Sequence, residues 1–237
     1  MAEAEGGMEE GLNATSQILK VRGRVVPSTL TDIQLQAEMT DGTIVSGESK
    51  IPEARKRIKK MLMCPENAPA TSGAVEAILK ADVLIFGPGS LYTSVIPNLL
   101  VKEIREAVVK SEAVKIYVCN VMTQPGETDG YGAFEHVKAL LDHVGEQFLD
   151  YVIVNDEKIS AEQLKQYFAE GAMPVTPDVD KIRRLGITVV PASLISKKNL
   201  VRHEPKKLSR VLITLIYRLR LFGKGVQFFD YIFMRHG

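Results

Sequence analysis

Along the second half of the chain, short apolar runs alternate with segments of helical spacing. The runs are Val83 to Phe86, Lys115 to Asn120, Tyr151 to Val154 ending in Asn155, and Ile187 to Val190 before Pro191. Between them lie Pro97 to Ser111, with apolar positions at Leu100, Val101, Ile104 and Val108, then Tyr131 to His143 and Ala161 to Glu170. Continuous apolar strands separated by helices of about a dozen residues predict a parallel, doubly wound sheet. Ser72 to Lys80 reads as a further helix, with Ser72 as its cap.

Upstream the period changes from helical to two. VRGRVVP, the alternating IQLQAEM, the Asp41-Gly42 turn and TIVSGES predict an antiparallel β meander over Val21 to Glu48. Ile51 to Met63 carries the basic run ARKRIKK with Ile58, Met61 and Leu62 interleaved, and is read as a solvated helix face or exposed linker. The first fifteen or so residues lack apolar periodicity and read as a frayed or truncated end. Pro205 to Leu221 predicts a last helix, followed by FGKGVQFFDYIFMRHG, whose five aromatics are expected to pack on the core.

Composition narrows the function classes. With 237 residues, 45% of them hydrophobic, the chain can bury a real core, and its formal charge of +1 gives no field to attract nucleic acid. Cys64 and Cys119 are far apart, without the spacing of a zinc or redox site, and the four histidines form no HxH or HxxxH pair, so no metal site is expected. The acidic opening MAEAEGGMEEG has no signal-peptide pattern, and Leu212 to Phe233 is interrupted by Arg218, Arg220, Lys224 and Asp230, so a cytoplasmic protein without a membrane span is expected. Neither a nucleophile elbow nor a Walker A sequence is present.

The candidate chemistry sits where apolar strands end. Gly87-Pro88-Gly89-Ser90 follows the first run, and its glycines permit positive φ and close approach of backbone N–H groups to a ligand, with hydroxyls from Ser90, Tyr92 and Thr93 beside them. The second strand ends in NVMTQPGETDGY, a loop far more polar than a simple connection needs. There Asn120, Thr123 and Gln124 can contact a base or phosphate, while Asp129 can bind a metal or act as a base, with capping of the next helix the commoner role. Asn155 closes the third strand, either toward the same ligand or as an Asn-Asp turn; Tyr167 can stack on a base or pack in the core. Arg202 offers a planar fork to a diphosphate or to a surface carboxylate.

The stretches GPGSLYTSVIPNLLV, YVCNVMTQPGETDGY, and DYVIVN with LVRHEP resemble, in that order, the YvcK-like gluconeogenesis and morphogenesis factor family, which is related to CofD, the 2-phospho-L-lactate transferase of coenzyme F420 synthesis. The resemblance covers nearly all of Gln17 to Lys207. It implies a cytoplasmic, Rossmann-like three-layer α/β fold with a mainly parallel sheet and an antiparallel meander insertion. It also implies a regulator that binds a UDP-sugar such as UDP-N-acetylglucosamine and influences gluconeogenic growth, cell shape and wall synthesis. The GPGS turn and the Asn120 to Asp129 loop would line the nucleotide cleft, with Tyr167 and Arg202 near the UDP-sugar.

Family members open on a Gly-rich GGGTG-like loop absent here, and Pro205 stands where some relatives carry a phosphorylatable threonine. The chain is accordingly divided into a segment 1–16, an α/β portion 17–207 with its meander at 21–48, and a tail 208–237. The expectation is a non-enzymatic protein with no catalytic residue, no cofactor and no metal, self-associating to cover an open sheet edge. Two alternatives stand beside it. One is CofD-like phospholactyl transfer with Asp129 or Glu127 helping to hold magnesium. The other is a truncated product that binds nothing.

Overall fold

In the computed structural model, which describes residues 23–196 and 201–222, the chain divides into two units. The first is drawn from Met1–Leu84, Leu91–Ala113 and Leu140–Phe148, the second from Ile85–Ser90, Val114–Ala139 and Leu149–Gly237. Residues 1–16 and the aromatic run beyond residue 222 lie outside the described residues. The α/β reading with a mainly parallel sheet and a separate antiparallel meander holds.

In the first unit, β1 (Gln34–Met39) and β2 (Ile44–Ser46) form the hairpin expected at Asp41-Gly42. Gly42 takes φ +84°, which a side chain rarely adopts, and Asp41 accepts from the Thr43 N–H at 3.0 Å. The third strand is not the expected Val21 to Pro27 segment, of which 23–27 form no strand. It is β3 (Ile58–Cys64), which begins in the last three residues of the basic run and pairs antiparallel with β1, in the order β2-β1-β3.

A bulge explains why this strand resembled a helix. The register shifts between Glu38 and Met39, leaving Lys59 as an extra residue, so Ile58 and Met61 are both buried although three positions apart. Three-residue spacing is a helix signature, and here a bulged strand reproduces it. Lys59 turns outward to Glu38 at 2.6 Å, and Lys56 reaches Asp41 at 2.8 Å. The imidazole of His143 accepts the Met61 N–H at 2.9 Å. The short helix α1 (Lys50–Glu53) precedes this strand.

α2 (Ser72–Lys80) has the expected span but a different cap. Thr71, in extended backbone, accepts from the Ala74 N–H at 3.3 Å, and its hydroxyl donates to the Pro27 carbonyl at 2.6 Å. Ser72 is already inside the helix. The single helix expected over Pro97 to Ser111 is two, α3 (Ile96–Leu100) and α4 (Lys102–Lys110), separated at Val101, whose ψ of 116° is extended. A wide helical turn, Leu91–Val95, leads into them.

The second sheet runs β4 (Val83–Phe86), β5 (Val114–Val118), β6 (Tyr151–Asn155) and β7 (Thr188–Ala192) in that order, with β5-β6 and β6-β7 parallel. All five residues of β5 are buried, as are four of the five in β6, which accounts for their unbroken apolar sequence. β7 ends the strand order, so Pro191 can lack an N–H without breaking an inner ladder. The second unit also holds α6 (Ala161–Glu170), capped by Ser160, the short α7 (Val179–Arg183) and α8 (Pro205–Phe222). α5 (Ala133–Val144) follows the long loop after β5. Among the described residues no helix is long and apolar enough to cross a membrane.

Thr71→Ala is expected to lower unfolding free energy by about 1 to 2 kcal/mol in urea titrations, because a helix cap and a buried donor are lost together. Ser72→Ala should change it by less than about 0.5 kcal/mol; equal effects would return the cap to Ser72.

Candidate functional site

The parallel strands of the second unit deliver their loops to one edge, and the carboxyl end of β5 is where several meet. Gly87, at φ +79°, starts the turn after β4. A Cβ there would lie 3.1 Å from the Val118 carbonyl oxygen and 3.8 Å from the Tyr117 ring, so only glycine lets the Gly87–Ser90 turn sit this close to β5. From the other side His203 donates from Nε2 to the Cys119 carbonyl at 3.2 Å. Asn120, half-buried, follows immediately. The turn, Asn120 and the Arg202-His203 segment therefore share one strand end.

Two of the candidate side chains, Tyr167 and Asn155, hold this arrangement through hydrogen bonds of their own. The Tyr167 hydroxyl accepts from the Val201 N–H at 2.8 Å and fixes the residue before Arg202. Asn155 donates to the Glu157 carbonyl at 2.9 Å and accepts from the Leu194 N–H at 3.1 Å, stapling the end of β6 to the end of β7. The Arg202 side chain is exposed while its carbonyl accepts from the Ser196 N–H at 3.0 Å. Lys207 adds a tether, with Nζ at 3.0 Å from Glu157, Ser193 and the Ile195 carbonyl.

The loop after β5 is rigid through its own hydrogen bonds. Met122 and Pro174 form an antiparallel bridge, beside which buried Thr123 accepts the Met173 N–H through Oγ1 at 2.8 Å and donates its own N–H to the Met173 carbonyl at 2.7 Å. Gln124 bonds to Thr128 Oγ1 through its N–H at 2.8 Å and to Glu127 through Nε2 at 2.6 Å. Thr128 and Glu127 are 0% and 3% exposed, so the polar content of this loop faces inward as well as outward.

Asp129 does not cap the following helix. Its carboxylate accepts the Gly126 N–H at 2.6 Å and closes the turn, four residues before α5 begins at Ala133. Two carboxylates stand at the α5 terminus: Glu135 accepts the Gly132 N–H at 2.8 Å and Asp178 accepts weakly from the Phe134 N–H at 3.5 Å, while the Thr176 carbonyl takes the Ala133 N–H at 2.8 Å. Asp178 has φ +45°, rare for a residue with a side chain, and pairs with Lys181 at 2.9 Å. A Cβ on Gly132 would collide with this carboxylate and lie 2.6 Å from Thr176 Oγ1. Asp178 was not singled out in the sequence; its only local signal is a Pro-Asp turn ahead of a short helix, whereas its role depends on a helix more than forty residues away.

Burial shifts one thiol, one phenol and two imidazoles of this unit toward their neutral forms. The Cys119 thiol is pushed up to about 12 by burial, so it is no nucleophile at neutral pH. Burial also raises the Tyr117 hydroxyl and lowers His136 and His203, leaving both imidazoles neutral. His136 donates from Nδ1 to the Gly132 carbonyl at 2.8 Å and stacks edge-on with Tyr131. Thr93 is half-buried in the Leu91–Val95 turn of the first unit. Among the described residues no three His, Cys, Asp or Glu side chains gather as a metal set. The edge offers backbone amides, neutral side-chain donors and the exposed Arg202 guanidinium, with the exposed Asp129 carboxylate in the same loop cluster.

This fold matches a known class. The family model described as 2-phospho-L-lactate transferase CofD matches residues 1–195, and the chain belongs to that family. Within it, the chain is similar to proteins named for gluconeogenesis. It is 43% identical over 217 residues to the gluconeogenesis factor of Bacillus subtilis, covering 91% of this chain and 68% of that one. It is 45% identical over 216 residues to a putative gluconeogenesis factor of Nostoc sp., covering 90% of this chain and 47% of that one, so the chain spans about half that relative's length. The crystal structure of a UPF0052 family member from Bacillus halodurans superimposes with a TM-score of 0.83 at 44% identity, over 86% of this chain and 67% of that one.

Gly132→Ala is expected to cost about 2 kcal/mol or more by overpacking against Asp178, and in an Asp178→Gly background its cost should fall by at least about 1 kcal/mol. Strictly additive costs in urea unfolding would show that the two positions do not meet.

Proposed function

We propose that the chain contributes a sugar-nucleotide site to a regulatory protein of gluconeogenic growth, cell shape and cell-wall synthesis, with a UDP-sugar such as UDP-N-acetylglucosamine as the ligand. The observation that carries the reading is the meeting of the Gly87–Ser90 turn, Asn120 and the Arg202 segment at the carboxyl end of β5, the edge where open α/β sheets bind nucleotides. Backbone N–H groups of the turn suit a phosphate, Asn120 can donate and accept, and Arg202 supplies a bidentate fork for the diphosphate. Tyr167 then acts by holding Val201, and so Arg202, in place. The relatives' names support the link to gluconeogenesis. An inert thiol, and imidazoles held on the Cys119 and Gly132 carbonyls, favour binding over nucleophilic or acid-base chemistry.

The name of the family model supports a second reading, phospholactyl transfer assisted by magnesium. The two carboxylates considered for that ion do not fit it: Glu127 is buried against Gln124, and Asp129 is engaged by the Gly126 N–H.

Titration calorimetry of this chain with UDP-N-acetylglucosamine is expected to give a saturable heat. Arg202→Ala should weaken binding roughly ten- to a hundredfold, the worth of a charged hydrogen bond, and leave the melting temperature of the free chain unchanged. Absence of both heat and thermal shift at millimolar ligand, or full affinity in Arg202→Ala, would overturn the reading.

A further inference from the structure

Helix α8 has two unlike faces. Leu208, Val211 and Leu215 are buried at three- and four-residue spacing, which turns one stripe to the core of its unit. Ile213, Tyr217 and Leu221 recur every four residues on another face and are 66%, 63% and 56% exposed. Ile213 and Tyr217 are the two most exposed large apolar side chains among the described residues. Scattered apolar residues need no explanation, but a stripe along one helix does.

The charges around the stripe are of one sign. α8 holds Lys206, Lys207, Arg210, Arg218 and Arg220 and no acidic residue. Lys207 is turned inward to Glu157. At a hundred degrees per residue, Lys206, Arg210, Ile213, Tyr217, Arg220 and Leu221 fall within one arc of about 100°. An occupant of this face must therefore meet apolar groups and cations together. A second copy of the helix would set arginine against arginine, which costs free energy. An anionic bilayer surface satisfies both demands: acyl chains take the apolar groups, the tyrosine ring sits at headgroup level, and Lys and Arg stems run along apolar surface to reach lipid phosphates.

We propose that α8 docks peripherally on anionic lipid, lying in the interface plane with Ile213, Tyr217 and Leu221 inward and Lys206, Arg210 and Arg220 on the phosphates. The helix is not apolar enough to cross, so attachment is reversible and electrostatic in large part. This surface is separate from the nucleotide reading and does not rest on it.

Vesicle flotation with the whole chain tests it, using phosphatidylcholine with and without phosphatidylglycerol. The chain should float with anionic vesicles, not with neutral ones, and detach at high salt. Replacing Lys206, Arg210 and Arg220 by Gln should weaken attachment about fivefold for each cation and roughly a hundredfold together. Tyr217→Ser should weaken it separately, while Arg202→Ala should leave it unchanged. All four positions in these two variants lie on α8, and circular dichroism would confirm retained folding. No attachment to anionic vesicles, equal attachment to neutral ones, or full attachment by the triple variant would overturn the proposal. So would a Tyr217-dependent dimer, or an acidic amphipathic peptide captured in place of lipid, if vesicles were not bound.

Discussion

The carboxyl end of β5 is the constraint on which the candidate site depends. The carbonyls at this end are engaged from two directions: Gly87, at φ +79°, approaches that of Val118 closely, and that of Cys119, the next residue, accepts from His203. Because β5 is buried along its whole length, this end is held as firmly as the core that surrounds it. Loops that would otherwise be independent are thus fixed relative to one another by backbone contacts, with few side chains left to chance.

Several residues whose chemistry suggests ligand contact serve that scaffold. Asn155 and Tyr167 spend their polar atoms on backbone partners in the segments 194 and 201, and Thr123 spends its hydroxyl on Met173. This is an economical arrangement, since buried polar groups need partners and these ones pin the loops in doing so. Arg202 is an exposed cation at this edge, the group that the proposed anionic ligand would meet. The same segment continues through Lys207 into α8, so the inner face of that helix is tied to the strand-end loops while its outer face remains cationic and apolar.

Much of the fold was legible because the inner strands β5 and β6 are buried on both faces, and Val83 to Phe86, Tyr151 to Asn155 and Ala161 to Glu170 stand where apolar runs and helical spacing put them. β3 was not legible because the extra residue Lys59 converts a two-residue period into a helical one. The break at Val101 hid inside a continuous apolar spacing, and the cap moved one residue to Thr71 because its hydroxyl also serves the distant Pro27 carbonyl. The positions of the strand-end loops could be read, but the division of labour among their side chains could not. Partners 34 to 50 residues away, such as Val201 for Tyr167 and Met173 for Thr123, decide it, and no local pattern encodes them. Asp178 shows the same limit most plainly.

Hydrogen–deuterium exchange with and without UDP-N-acetylglucosamine tests the central claim most directly, because amide protection reports where a ligand closes on the backbone. Added protection is expected in peptides covering Gly87–Ser90, Asn120 to Tyr131 and Val201 to His203, with β1 and β2 unchanged. Protection confined to the β1-β2 hairpin, or none in the strand-end loops at saturating ligand, would contradict the assignment of the site to the end of β5.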